Sequence, residues 1–174
     1  MTKDMFSSIA MLKKRLSPEG KIEVVHDAYS WTARFDWSLP NKNLSYNEEQ
    51  NLHLPQDFVT FLKEVADGCV LFYDPDGQWG YKIYSYEELT SKQSFYKKIF
   101  AEKWSENFVA FAELCGEANA LFFDLRVPSY DLASYAIRET SIDKSENWMI
   151  VCRSFHEWLD HLVTAQGGKY WEWK

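Results

Sequence analysis

The stretch from Leu54 to Gly68 writes a helix with both ends marked, and the chain then runs without a linker into a hairpin. Pro55 suits a first helical turn, where its missing N–H is not needed. Phe58, Phe61, Leu62 and Val65 fall at i, i+3, i+4 and i+7, and Gly68 supplies a C-terminal stop. The run Cys69–Tyr73, the turn Asp74-Pro75-Asp76-Gly77 and the run Gln78–Tyr84 read as two strands joined by a Pro/Gly turn. Helix leads straight into hairpin.

The rest of the chain repeats this grammar. Phe6, Ile9, Leu12 and Leu16 predict a first helix that stops at Ser17-Pro18, and from Ile22 to Trp37 the pattern turns to strand-like alternation. Ser85 and Glu88 have the form of a capping box and predict a short helix there, with helical character resuming from Phe95 to Trp104. A second hairpin is predicted from Phe108–Phe111 and Ala120–Leu125 around Gly116-Glu117-Ala118-Asn119, and further strands from Leu132–Ile137 and Trp148–Cys152. Ser154 and Glu157 repeat the capping box before a last amphipathic helix of Phe155, Trp158, Leu159, Leu162 and Val163, ended by Gly167-Gly168. The expected class is α+β, a largely antiparallel β-sheet with flanking helices at both ends of the chain, in one domain over residues 1–174. The five residues from Tyr170 to Lys174 read equally as a loose tail, an added edge strand or a contact for a partner.

Charge narrows the choice of partner. Residues 51–120 carry eleven acidic against six basic side chains, a net of −5 out of −7 for the whole chain. That balance argues against a protein that grips nucleic-acid phosphates and favours a basic protein partner. Apolar runs such as Cys69–Tyr73 reach only five residues, far short of a membrane span. Lys13, Lys14 and Arg15 follow the first apolar stretch rather than precede it, unlike a secretory signal, so a cytoplasmic location is expected. Cys69, Cys115 and Cys152 are odd in number and widely spaced, as reduced structural thiols are.

The ordered set Leu54-Pro55-x-Asp57-Phe58-x-x-Phe61-Leu62, a glycine at 68, the hairpin Asn107–Glu113 to Ala120–Leu125 and the terminal Ser154-Phe155-x-x-Trp158-Leu159 resembles the SUKH superfamily, the SMI/KNR-type domain. The likeness spans residues 45–165, while residues 1–44 match nothing in it. Departures are Asp67-Gly68 in place of Asn-Gly, a hairpin turn poor in glycine, and a choice between Glu48 and Glu49 for the acidic residue before Leu-Pro. The resemblance implies a non-catalytic domain that works by binding proteins. Bacterial members of this kind act as immunity proteins that neutralise secreted toxins, often nucleases, and fungal ones regulate cell-wall synthesis through protein partners.

Catalytic or metal chemistry is not expected. His156, Glu157 and His161 resemble a zinc helix of the HExxH type, but histidines five apart point about 140° from one another around a helix and cannot share an ion. No Gly-rich phosphate loop or nucleophile elbow occurs, so no cofactor is expected. The candidate partner-binding residues are Asp74, Asp76, Glu113 and Glu117, as an electrostatic steering surface, with Trp79 and Tyr81 as aromatic anchors. An immunity protein against a basic toxin domain is the leading reading. A regulatory or scaffold module and a small-ligand-binding domain or undetected hydrolase are the alternatives.

Overall fold

Side chains alternate between the two faces of a strand, so the unbroken apolar runs Phe108–Ala112 and Ala120–Phe123 require a sheet covered on both sides. The computed structural model describes residues 5–26, 29–44, 52–126, 135–141 and 148–173. Within them the chain forms α1 (Ser7–Arg15), β1 (Lys21–His26), β2 (Tyr29–Trp37), α2 (Gln56–Glu64), β3 (Cys69–Tyr73), β4 (Tyr81–Ile83), α3 (Tyr86–Phe100), β5 (Phe108–Leu114), β6 (Ala120–Asp124), β7 (Ala136–Glu139), β8 (Ile150–Cys152) and α4 (Phe155–Thr164). Short 3₁₀ turns occupy Ala101–Lys103 and Tyr170–Glu172. The eight strands pair antiparallel in strict chain order, β1 to β8, so the α+β class with an antiparallel sheet is the observed one.

Ring contacts define two layers on this sheet. On one face Phe58 of α2, Phe155 and Trp158 of α4, Phe111 of β5 and Phe123 of β6 interlock, with centroids 4.2–5.8 Å apart in the pairs Phe111–Phe123, Phe58–Phe155, Phe58–Phe123, Phe111–Trp158 and Phe58–Phe111. α1 joins this layer through Phe6 on Phe61 and Lys13 over the Trp37 ring. On the other face Tyr96 and Phe100 of α3 stack with Trp104, which packs with Phe108, Phe122 and Trp148. Every residue of β6 is buried, as the two-sided cover requires.

A β-bulge makes this possible. Phe111 and Glu113 are two apart and would share a face in a regular strand, yet one belongs in the aromatic layer and the other carries a charge. The register slips between Ala110 and Ala112, and past the slip Glu113 lies under α3, accepting from the Tyr84 hydroxyl and the Lys92 ammonium at 2.8 Å each.

The marked helix α2 is tied down by its own first turn. Asp57 Oδ1 accepts from the Phe58 N–H at 2.9 Å and the Tyr135 hydroxyl at 2.7 Å, and Oδ2 accepts from the His156 N–H at 3.1 Å. Tyr135 accepts in turn from the Phe155 N–H at 2.5 Å, and Ser154 Oγ from the Glu157 N–H at 3.1 Å. The unpaired donors that open α4 are thus satisfied one by one, two of them through Asp57 and its tyrosine.

Several expectations shift. The strand expected over Gln78–Tyr84 contracts to Tyr81–Ile83, because Asp74 Oδ1 accepts the Gln78 and Trp79 N–H groups at 2.7 and 3.2 Å and holds them in the turn. The interrupted helix after Ser85 is one continuous helix of 15 residues, opened by the full reciprocal capping box. At Ser154 only the hydroxyl half of the box forms, since the Glu157 carboxylate accepts from the Cys152 thiol instead. The strand expected from Leu132 runs from Ala136 to Glu139. Its residues 132–134, and Glu48 and Glu49, lie outside the described residues.

Asp57→Ala leaves the Tyr135 hydroxyl and the His156 N–H without an acceptor, and is expected to cost about 2–4 kcal/mol in urea unfolding, with Asp57→Asn recovering part of it. Asp124, 1% exposed, offers a pH test. Burial pushes its carboxyl up, but hydrogen bonds from Arg126 and Arg138 outweigh burial and hold it below its usual 3.8. Its contribution is therefore full above that value and is lost as pH falls through the lower folded value. Removing it, as in Asp124→Asn, should flatten the fall in unfolding free energy below about pH 4.

Candidate functional site

The turns at one end of the sheet are pressed together backbone against backbone. Gly116, in the β5–β6 turn, has φ +77°, and a Cβ there would meet the Gln78 carbonyl oxygen at 2.3 Å. Gly167, after α4, has φ +82°, and a Cβ would strike the Phe72 ring at 2.5 Å. Only glycine permits both approaches. Phe72 itself is held at φ +50° with its ring edge-on to Phe35, a strained backbone fixed by the packing around it. The Gly167 carbonyl accepts from both the Trp79 indole and the Tyr81 hydroxyl at 3.1 Å, which braces the loop 74–80 to the C-terminal turn.

A buried ion cluster completes the brace. Lys169, 8% exposed, donates to Glu117 at 2.7 Å and to Glu139 at 3.0 Å, and lies 3.6 Å from Glu172. Glu139, 7% exposed, also accepts from the Trp171 indole at 2.8 Å and from Asn119 at 3.0 Å. Burial pulls the Lys169 ammonium down, but its hydrogen bonds to Glu117 and Glu139 outweigh that and leave it above the usual lysine value. The residues Tyr170–Trp173 are therefore docked on the body through Lys169 and Trp171; they form a 3₁₀ turn and not a strand added to the sheet edge.

Against this end lies an open depression of about 680 Å³. Tyr29 and Trp31 of β2 form one wall, Asp74, Asp76 and Trp79 another, and Lys169, Glu172 and Trp173 a third. Asp76 is exposed and Asp74 half-buried. Neither forms an ion pair among the described residues: the Asp76 carboxylate is exposed beside aromatic rings, while Asp74 keeps its charge with Oδ1 accepting the Gln78 and Trp79 N–H groups.

Of the residues singled out from the sequence, Asp74, Asp76 and Trp79 come together here. Tyr81 lies beneath them, 1% exposed, with its ring edge-on to Trp79, Trp158 and Trp171; it supports the floor and presents no surface of its own. Glu113 is engaged under α3 by Lys92, and Glu117 is engaged by Lys169. Tyr29, Trp31, Glu172 and Trp173 were missed. The two-residue spacing of Tyr29 and Trp31 places them on one face of β2, but only the fold shows that this face meets the C-terminal turn.

The cysteines and histidines divide differently. Burial pushes the Cys69, Cys115 and Cys152 thiols up, the opposite of an activated nucleophile. His156 faces Asp160 at 3.3 Å and the Phe6 ring, whereas His161 packs on Tyr170. The two histidines thus take different faces of α4, as their spacing requires, but Cys152, Glu157 and His161 bring potential ligand atoms within 4.8 Å of one another. Among the described residues no helix is long and apolar enough to cross a membrane.

The sequence model of the SMI1 / KNR4 family (SUKH-1) matches residues 45–161, about two thirds of the chain. No curated protein matches the chain. The chain belongs to the SMI1 / KNR4 family (SUKH-1).

Lys169→Ala strands Glu139 without its cation beneath the surface and is expected to cost about 3–5 kcal/mol in urea unfolding. Because the Lys169 value is raised, the native contribution is full below the usual lysine value and is lost as pH rises through the higher folded one. The difference in stability between wild type and Lys169→Ala should therefore hold from neutrality to about pH 10 and shrink above it.

Proposed function

We propose that this SMI1 / KNR4 family member is a non-catalytic, cytoplasmic protein-binding domain that neutralises a basic toxin domain of nuclease type by direct binding. The observation that carries the reading is the depression in which Asp74 and Asp76, neither of them in an ion pair among the described residues, lie with Trp31, Trp79 and Trp173. Uncompensated carboxylates steer a cationic partner from a distance and fix its register, and large rings supply the desolvated contact that holds it. The loops that carry these groups are braced by Gly167 and Lys169, so little order has to be acquired on binding. Family membership supports the choice of a protein partner over a small substrate. The thiols, pushed up by burial, favour occlusion over chemistry.

The test is capture by the intact chain from lysate and secreted fractions of its source organism, followed by expression of each captured polypeptide in cells with and without the chain. One basic polypeptide whose toxicity the chain relieves supports the reading; capture only of harmless cytoplasmic or cell-wall proteins turns it to a regulatory module. Asp74→Lys combined with Asp76→Lys is expected to slow association with that polypeptide by about tenfold or more at low salt, and much less at high salt. Equal rates for wild type and variant would remove the depression from the binding surface.

A further inference from the structure

β8 ends at Cys152, Ser154 caps α4, and Glu157 and His161 stand one turn apart on that helix. This short connection brings a thiol, a carboxylate and an imidazole together with their ligand atoms all within 4.8 Å of one another. We propose that Cys152, Glu157 and His161 form a binding site for a single divalent zinc-type cation. The site is separate from the acidic depression and does not rest on the partner reading.

Four features support it. Residues at i and i+4 lie on one helix face, so Glu157 and His161 reach the same point without distortion. Glu157 gives up the reciprocal half of its capping box, and its Oε2 accepts from the Cys152 thiol at 3.2 Å. A tetrahedral zinc places its ligand atoms about 3.3–3.7 Å apart, so Cys152 and Glu157 at 3.2 Å are close to that spacing, and the exposed His161 lies within 4.8 Å of both. Finally, Tyr170 packs edge-on to the His161 ring at 5.0 Å and sets its buried hydroxyl beside the Cys152 thiol.

Ligand type selects the ion. Thiolate with imidazole favours zinc and related soft cations, while magnesium and calcium prefer all-oxygen sets. Binding breaks the Cys152 S–H bond, forms a sulfur–metal bond and releases the proton to solvent, so one proton leaves per ion bound. Three protein ligands leave the fourth position for water, with the Tyr170 hydroxyl at hand in the same cluster. The ion would tie β8 to α4 beneath the C-terminal turn.

Zinc titration of the reduced, intact chain by calorimetry tests this, with cobalt as a spectroscopic probe. One zinc per chain is expected, with a rise in thermal midpoint as zinc is added. Glu157→Gln and His161→Ala, both at exposed positions, should each weaken binding by at least about tenfold, the loss that even an indirect supporting residue produces. Cys152→Ser should abolish the thiolate-to-cobalt charge-transfer band, and His156→Ala, on the neighbouring face, should change nothing. Failure to bind zinc stoichiometrically, a cobalt complex without that band, or affinities unmoved in Glu157→Gln and His161→Ala would overturn the assignment.

Discussion

Asp57 meets donors 78 and 99 residues further along the chain, the Tyr135 hydroxyl and the His156 N–H, and most of the architecture depends on that meeting. A helix N-terminus leaves backbone donors with no partner inside the helix, and each one left unmade away from water costs free energy comparable to a hydrogen bond. α4 solves this with groups from three places: Asp57 of α2, Tyr135 before β7 and its own Ser154. Once α4 is fixed, its Phe155 and Trp158 have only one place to go, the aromatic layer between α2 and the sheet. The acidic residue in the first turn of α2 is thus a joint between two helices as well as a favourable charge at a helix N-terminus.

The sheet then sets where exposed chemistry can occur. With both faces of β5 and β6 covered largely by rings, polar groups gather under α3, where Glu113 meets Tyr84 and Lys92, and at the strand turns and the C-terminal turn. Two arrangements arise there by the same means. Lys169 pairs with both Glu117 and Glu139 and so lets the last turn dock, and that docked turn walls the depression holding Asp74 and Asp76. It also lays Tyr170 against His161, beside Cys152 and Glu157. One short terminal segment therefore borders both the proposed partner surface and the proposed metal site.

Elements governed by local rules were legible. The spacing of Phe58, Phe61 and Leu62, the Ser85–Glu88 capping box and the paired strands around Gly116 appear in the structure close to where the pattern places them. Errors fell where a side chain competed with the backbone pattern. Asp74 drew two N–H groups out of a strand, and Cys152 drew Glu157 away from its capping role. Tyr81 was read as an anchor because alternation says only that it shares a face with Trp79, and not that α4 covers that face.

The sequence by itself determined the helices, the hairpins, the antiparallel α+β class and the family, because each of these rests on residues a few positions apart whose spacing is a direct record of backbone period and turn chemistry. Only the tertiary structure decided which acids stand open and which are spent on Lys169 or Lys92, that Asp57 belongs to α4 as much as to α2, and that Cys152 faces His161. Those outcomes depend on contacts across tens of residues, where the register of the sheet and a single bulge choose the neighbour, and no local period encodes that choice.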